Sequence, residues 1–106
     1  MNESESDIFR ALADPTRRAV FERLATGERN ATQLREGLEI SQPAMSQHLA
    51  VLRSAGLIAE RRAGRHVNYS VRAEGLVPLA DWLDRYRAFW PQRIEQLRHL
   101  LKEMDQ

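Results

Sequence analysis

No cysteine occurs anywhere in the 106 residues. That absence removes disulfides, thiol redox switching, zinc ribbons and cysteine catalysis together. Long apolar runs are missing too: nothing approaches the roughly 20 residues that span a bilayer. The acidic opening Met1-Asn2-Glu3-Ser4-Glu5 also lacks the basic and apolar regions of a signal peptide. A cytoplasmic protein with no membrane partner is therefore expected. Glycine is scarce, with 5 scattered residues, and the 3 histidines stand apart at 48, 66 and 99. Neither a glycine-rich phosphate loop, a convergent metal set nor a nucleophile with its base can be assembled from these. Enzymatic activity, a bound metal and any other cofactor are not expected. Net charge is small as well, only +1, so gross basicity does not announce a nucleic-acid ligand.

What is present is an apolar fraction of 42%, enough for a single core in one domain spanning residues 1–106. Charge is unevenly spread along it. Between residues 41 and 72 stand Arg53, Arg61, Arg62, Arg65 and Arg72 against Glu60 alone, whereas the first seven residues carry Glu3, Glu5 and Asp7.

Hydrophobic period gives the element order. Ile8, Phe9, Leu12 and Ala13 recur at helical spacing and predict a short first helix. Asp14-Pro15 then caps and opens a second helix, buried through Ala19, Val20 and Leu24 and stopped near Gly27. Asn30 with Gln33 reads as a capping box for a short third helix whose inner face is Ala31, Leu34 and Leu38. Ser41 caps a fourth, in which Met45, Leu49 and Leu52 form the buried stripe and Gly56 marks the end. Beyond Leu57 the period falls to two: Val67, Tyr69 and Val71 alternate with His66, Asn68 and Ser70. The stretch before them pairs back across Ala63-Gly64-Arg65, predicting a hairpin over 57–72. Helical spacing returns over 76–104 through Leu79, Trp82, Leu83, Tyr86, Phe89, Trp90, Ile94 and Leu97, with Pro91 bending or breaking the helix near Tyr86 to Trp90. So wide an apolar stripe must be covered, and a second copy of the same helix is the economical cover.

The expected fold class is thus mainly α, with five helices and a small β-hairpin wing: a winged helix-turn-helix with its helix-turn-helix at 31–54. Its fourth helix presents Gln42, Pro43, Ser46, Gln47 and Arg53 opposite the buried stripe, and the hairpin carries Arg61, Arg62 and Arg65. Glutamine pairs with adenine, serine serves a base edge or a phosphate, and arginines on a wing neutralise phosphates. Double-stranded DNA is the partner this combination fits. The alternative is a winged-helix adaptor that binds protein and no DNA, since fold alone does not fix function. His48 reads as a packed or capping histidine and Tyr69 as a core residue.

Three segments together resemble one family. Leu38 to Ile58, Ala13-Asp14-Pro15-Thr16-Arg17-Arg18 and Arg61 to Tyr69 are similar to the recognition helix, second helix and wing of the ArsR family of bacterial repressors. The resemblance covers almost the whole chain. It implies a homodimer assembled through the first and last helices, binding an imperfect palindrome and repressing its own or neighbouring genes. Ile8 and Phe9 would join Leu79, Trp82, Leu83, Tyr86, Phe89, Trp90, Ile94 and Leu97 at that interface. By motif position it implies groove or backbone contacts from Gln42, Pro43, Ser46, Gln47 and, at the wing, Arg65. The chain departs from metal-sensing members: Ala31 to Leu38 contains no cysteine, and near Asp81 and Asp84 stand Tyr86 and Arg98 in place of ligands. It is closer to the branch of autorepressors without metal-site cysteines. Whether a small molecule or another protein acts as effector stays open, as does a small-molecule role for the aromatic cluster beside its packing role.

Overall fold

The computed structural model describes residues 2–89 and 92–104, apart from the side chains of Arg93, Ile94 and Leu97. Trp90, Ile94 and Leu97, expected at a subunit interface, and the expected bend at Pro91 therefore lie outside the described residues and side chains.

Helix α1, Glu3–Ala13, opens on a reciprocal cap: the Glu5 N–H donates to Asn2 Oδ1 at 2.8 Å, and Glu5 Oε2 accepts from the Asn2 N–H at 3.4 Å. Asp14 ends it and begins α2, Pro15–Ala25, where Thr26 in helical conformation is the cap and Gly27 lies just beyond at φ 155°. A two-residue strand β1, Arg29–Asn30, leads into α3, Ala31–Arg35, and Asn30 and Gln33 form the expected capping box. Ser41 Oγ accepts from the Ala44 N–H to start α4, Gln42–Ser54, with Pro43 in the first turn, where helix donors have no intrahelical partner. Strands β2, Ile58–Ala63, and β3, His66–Val71, follow.

The sheet is antiparallel in the order β1-β3-β2, with Arg29 opposite Tyr69 and Tyr69 opposite Glu60. Sequence period found only the hairpin. Two residues are too few to show alternation, and Asn30 serves at once as strand residue and helix cap. The core gathers one face from each element: Ile8 and Ala11 of α1, Val20 and Leu24 of α2, Leu34 of α3, Met45, Leu49 and Leu52 of α4, with Leu57 and Ile58 from the wing's entrance. Burying each large aliphatic side chain contributes about 1.5–3 kcal/mol. Ile8, expected to face a second subunit, is 1% exposed in this core and is thereby removed from any outer surface.

Six α-helices, not five, occur among the described residues. The helical segment over 76–104, counted as one helix but expected to bend or break near Tyr86 to Trp90, is divided there into α5, Val77–Arg85, a 3-10 turn at Arg87–Phe89, and α6, Gln92–Met104. A proline at 91 supplies no donor to the turn before it, which accounts for a stop ahead of that position. No helix among the described residues is long and apolar enough to cross a membrane.

Between wing and α5, a 3-10 turn at Ala73–Leu76 crosses the end of α4. Gly56, at φ 77°, turns the chain out of α4, and Gly75 is laid directly upon it: a Cβ at 75 would stand 1.9 Å from the Gly56 carbonyl oxygen. Only glycine fits there. Gly75→Ala is expected to lower unfolding free energy by roughly 1–3 kcal/mol, because backbone rather than a flexible side chain must yield. An unchanged urea midpoint would show that the crossing can open without cost.

Candidate nucleic-acid interface

Burial of Met45, Leu49 and Leu52 fixes the rotation of α4 about its axis. Gln42, Pro43, Ser46 and Gln47 are then left exposed on the outer side, near the helix N-terminus. Gln42, Ser46 and Arg53 succeed one another at helical intervals along one flank of α4, and Arg53 reaches β2 through Glu60. Gln42, Pro43, Ser46 and Gln47 are thus all accessible to solvent in the first turns of α4.

That surface is braced from behind by the corner between α1 and α2. Asp14 Oδ1 accepts from the Thr16 N–H at 2.8 Å and the Arg17 N–H at 3.0 Å. Arg17 Nε donates to the Ala11 carbonyl at 2.7 Å and Nη2 to the Arg10 carbonyl at 3.1 Å. Arg18 Nη1 reaches the carbonyls of Leu12 and Ala13. The two arginines thus satisfy the carbonyls left open at the end of α1. Arg17 Nη1 also lies 3.4 Å from His48 Nδ1 on α4, which makes His48 a half-buried packing residue, as its sequence position suggested. The backbone donor of Arg17, aided by that of Thr16 and by the nearby His48 and Arg17 charges, holds the Asp14 carboxyl below its ordinary value against a smaller opposing effect of burial.

Beyond α4 the wing ends in a two-residue turn, with Ala63 opposite His66 and Gly64 at φ 63°. Positive φ at the first turn residue alone is the pattern of a type II′ hairpin, whose twist matches the strands. Arg65 projects from this open tip, where no atom lies within 4 Å of the Gly64 Cβ position. Side chains alternate across the strand, so Glu60 and Arg62 share the face of Tyr69 and Val67, while Arg61 shares the other with Asn68. Tyr69 packs against the core, as expected; burial pushes its phenol above the ordinary value, Glu60 adds to the rise and Arg53 offsets part of it.

The basic residues divide into two sets. Arg53 Nη1 donates to Glu60 Oε2 at 2.7 Å, and Arg61 is paired with Glu28, which holds it still more firmly protonated. Among the described residues no carboxylate stands within ion-pair distance of Arg62 or Arg65. Neither carboxylate pair was foreseen. The Arg61 pair joins residues 33 apart in sequence, a separation at which charge order along the chain carries no signal.

A second surface is apolar. Phe9 meets Trp82 edge-on at 5.0 Å between ring centroids, Trp82 meets Tyr86 at 4.8 Å, and Tyr86 meets Phe89 at 6.3 Å. Exposure rises along this ladder to 77% at Phe89. Leu83, Leu100, Leu101 and Met104 are exposed too, and Leu79 packs partly against the core. Arg85 pairs with the buried Glu5, tying α5 to α1. An open depression of about 350 Å³ between α1 and α4 is lined by residues that include Asp7, Arg10 and Val51, and by none of the ladder aromatics. Among the described residues no three His, Cys, Asp or Glu side chains converge to hold a metal.

Comparison with known proteins agrees with this geometry. A family model described as a helix-turn-helix domain matches residues 12–61. The chain is 42% identical over 98 residues to the HTH-type transcriptional regulator Rv2034 of Mycobacterium tuberculosis, covering 92% of this chain and 89% of that protein. It is 33% identical over 78 residues to the transcriptional repressor SdpR of Bacillus subtilis, covering 74% and 87%. Among solved structures, an ArsR family transcriptional regulator superimposes with a TM-score of 0.76 at 32% identity, over 83% of this chain and 91% of the other. An ArsR-like transcriptional regulator from Rhodococcus sp. RHA1 does so with a TM-score of 0.71 at 28% identity, over 92% of each.

The cap at Asp14 has a pH signature. A carboxyl whose pKa is depressed on folding stabilises fully above its unfolded value of about 3.9, and that stabilisation is lost as pH falls through the lower folded value. Asp14→Ala is expected to melt at lower temperature than the parent at pH 7, with the difference shrinking as the pH falls below about 3.9. A difference that stays constant down to acid pH would mean that the carboxylate charge contributes nothing to the corner.

Proposed function

The chain belongs to the ArsR family of winged helix-turn-helix transcriptional regulators, and from that premise we propose that it is a repressor which binds a palindromic operator in double-stranded DNA as a homodimer. The observation that carries this reading is the exposed polar side of α4, held in register by its buried stripe and followed by a wing whose Arg62 and Arg65 are free of carboxylates among the described residues. The N-terminal half of α4 enters the major groove. Gln42 and Gln47 have the two-pronged amide that matches adenine, Ser46 serves a base edge or a phosphate, and Pro43 packs against the groove wall. Arg65 and Arg62 meet the phosphate backbone or the adjacent minor groove, contacts that position rather than specify. Arg53 and Arg61 join them once released from Glu60 and Glu28.

Dimerisation supplies the second half-site. The ladder Phe9, Trp82, Tyr86 and Phe89, with Leu79, Leu83 and α6, is apolar surface that one chain leaves open, and a two-fold partner covers it with the same residues. Trp90, Ile94 and Leu97 extend that stripe in sequence. Two α4 helices related in this way read successive turns of one face of the duplex, about 34–36 Å apart, and this symmetry makes the operator a palindrome. The site of action is the cytoplasm, where the chromosome of a bacterium lies.

The test is selection of genomic fragments by the purified protein, followed by titration of the enriched duplex over a range of salt. Enrichment of inverted half-sites about one helical turn apart, or a small multiple, is expected; no enrichment, with binding that vanishes near physiological salt, would move the chain to the adaptor class. Arg65→Ala is expected to weaken binding to every duplex and to flatten the slope of log K against log salt by about 0.9. If that slope does not move, the wing tip does not touch phosphate. Phe89→Asp is expected to shift the sedimenting mass from twice the chain mass towards 12.3 kDa; a parent protein already monomeric at micromolar concentration would end the dimer reading.

A further inference from the structure

Glu60 is the only acid between residues 41 and 72, and the structure sets it against the one arginine of α4. Strand alternation turns Glu60 to the helix side of the wing, together with Tyr69 and Arg62. Arg53 meets it from the flank of α4 that also carries Gln42 and Ser46. The pair therefore bridges α4 and β2 of the wing, and on the DNA-binding reading a phosphate that reaches this flank competes with Glu60 for Arg53. Both side chains are about half exposed, 48% and 45%, so each is open to competition from solvent ions and from phosphate.

We infer that Glu60 restrains the sequence-independent part of DNA affinity, by holding Arg53 in an intramolecular pair for which phosphates must compete. This rests on the DNA-binding reading above. A duplex of arbitrary sequence is held almost entirely through its phosphates, with one counterion release per phosphate neutralised. Each cation kept on an internal carboxylate subtracts from that term. A regulator facing a very large excess of non-operator DNA gains discrimination when its backbone term is small, since specificity against those competing sites sets occupancy. Arg62 and Arg65, without such partners among the described residues, supply the standing backbone contacts, and Arg53 is the cation held in reserve. Tyr69, which packs partly against the core, stands opposite Glu60 across the sheet, so the pair is anchored beside the domain on one side and open to solvent on the other.

Glu60→Gln keeps the shape and an acceptor oxygen but removes the charge. Titration of a labelled duplex of scrambled sequence, at several salt concentrations, separates the effect from mere charge removal when wild type, Glu60→Gln, Arg53→Ala and the double variant are compared. Because exposed ion pairs are weak, Glu60→Gln is expected to bind roughly twofold to fivefold more tightly. Its salt slope should steepen by about 0.9, the release of one further counterion. Arg53→Ala should bind no more tightly than wild type, and Glu60→Gln should add nothing to it. Equal tightening by Glu60→Gln with and without Arg53 would reduce the residue to a repelling charge and overturn the inference, as would no tightening at all. If the wild type binds its selected operator while Glu60→Gln behaves as wild type, only this inference fails; if the wild type binds neither duplex, the DNA-binding reading fails first.

Discussion

Everything functional in the chain hangs on the one-sided burial of α4. Met45, Leu49 and Leu52 leave almost no surface to solvent and share a cluster with Val20, Leu34, Leu57 and Ile58. A helix held by three fully buried side chains has one rotational setting, since turning it would expose them and leave cavities, at a cost of about 2–5 kcal/mol for each large side chain lost. The polar side is defined by subtraction: what the core does not take is presented outward. Gln42, Ser46 and Gln47 need no bracing of their own, because their backbone is already rigid.

The same economy governs the corner before it. Asp14, Arg17 and Arg18 could be taken for surface charges, yet Asp14 binds backbone amides of α2 and the two arginines bind carbonyls of α1. Their charge is spent locally on polar groups that helix ends leave open. A family motif in this segment is thus explained by chain geometry, without any contact to a ligand. Arg17 then extends the corner to His48, so the back of α4 rests against the corner between α1 and α2.

Much of this was legible in the sequence where the signal is local. Asp14, Asn30 and Ser41 announce their helices because a cap needs only a short side-chain oxygen a few residues ahead of the amides it serves. The stripe of α4 and the alternation of β3 are equally local. Three things were not legible. Ile8 and Phe9 are adjacent and both apolar, and period alone does not say that one faces the chain's own core while the other faces Trp82. Strand β1 is too short to have a period. Pairing of Arg53 with Glu60 and of Arg61 with Glu28 depends on register across the sheet and on where α4 is set against it, so a local excess of arginine overstates the number of free cations. A bend or break near Tyr86 to Trp90 was readable from Pro91, and only the uninterrupted apolar stripe argued for counting one element over 76–104.

The crossing of Gly75 over the Gly56 carbonyl joins two parts of the molecule with different tasks. On one side of it the chain has just left α4; on the other it is about to enter α5, whose Trp82 packs edge-on against Phe9. With no side chain between the two backbones there is no soft layer to absorb displacement. The contact therefore ties the end of α4 to the entrance of α5 backbone against backbone. The setting of α5 relative to the end of α4 is accordingly fixed by the fit of two glycines as well as by the packing of the core.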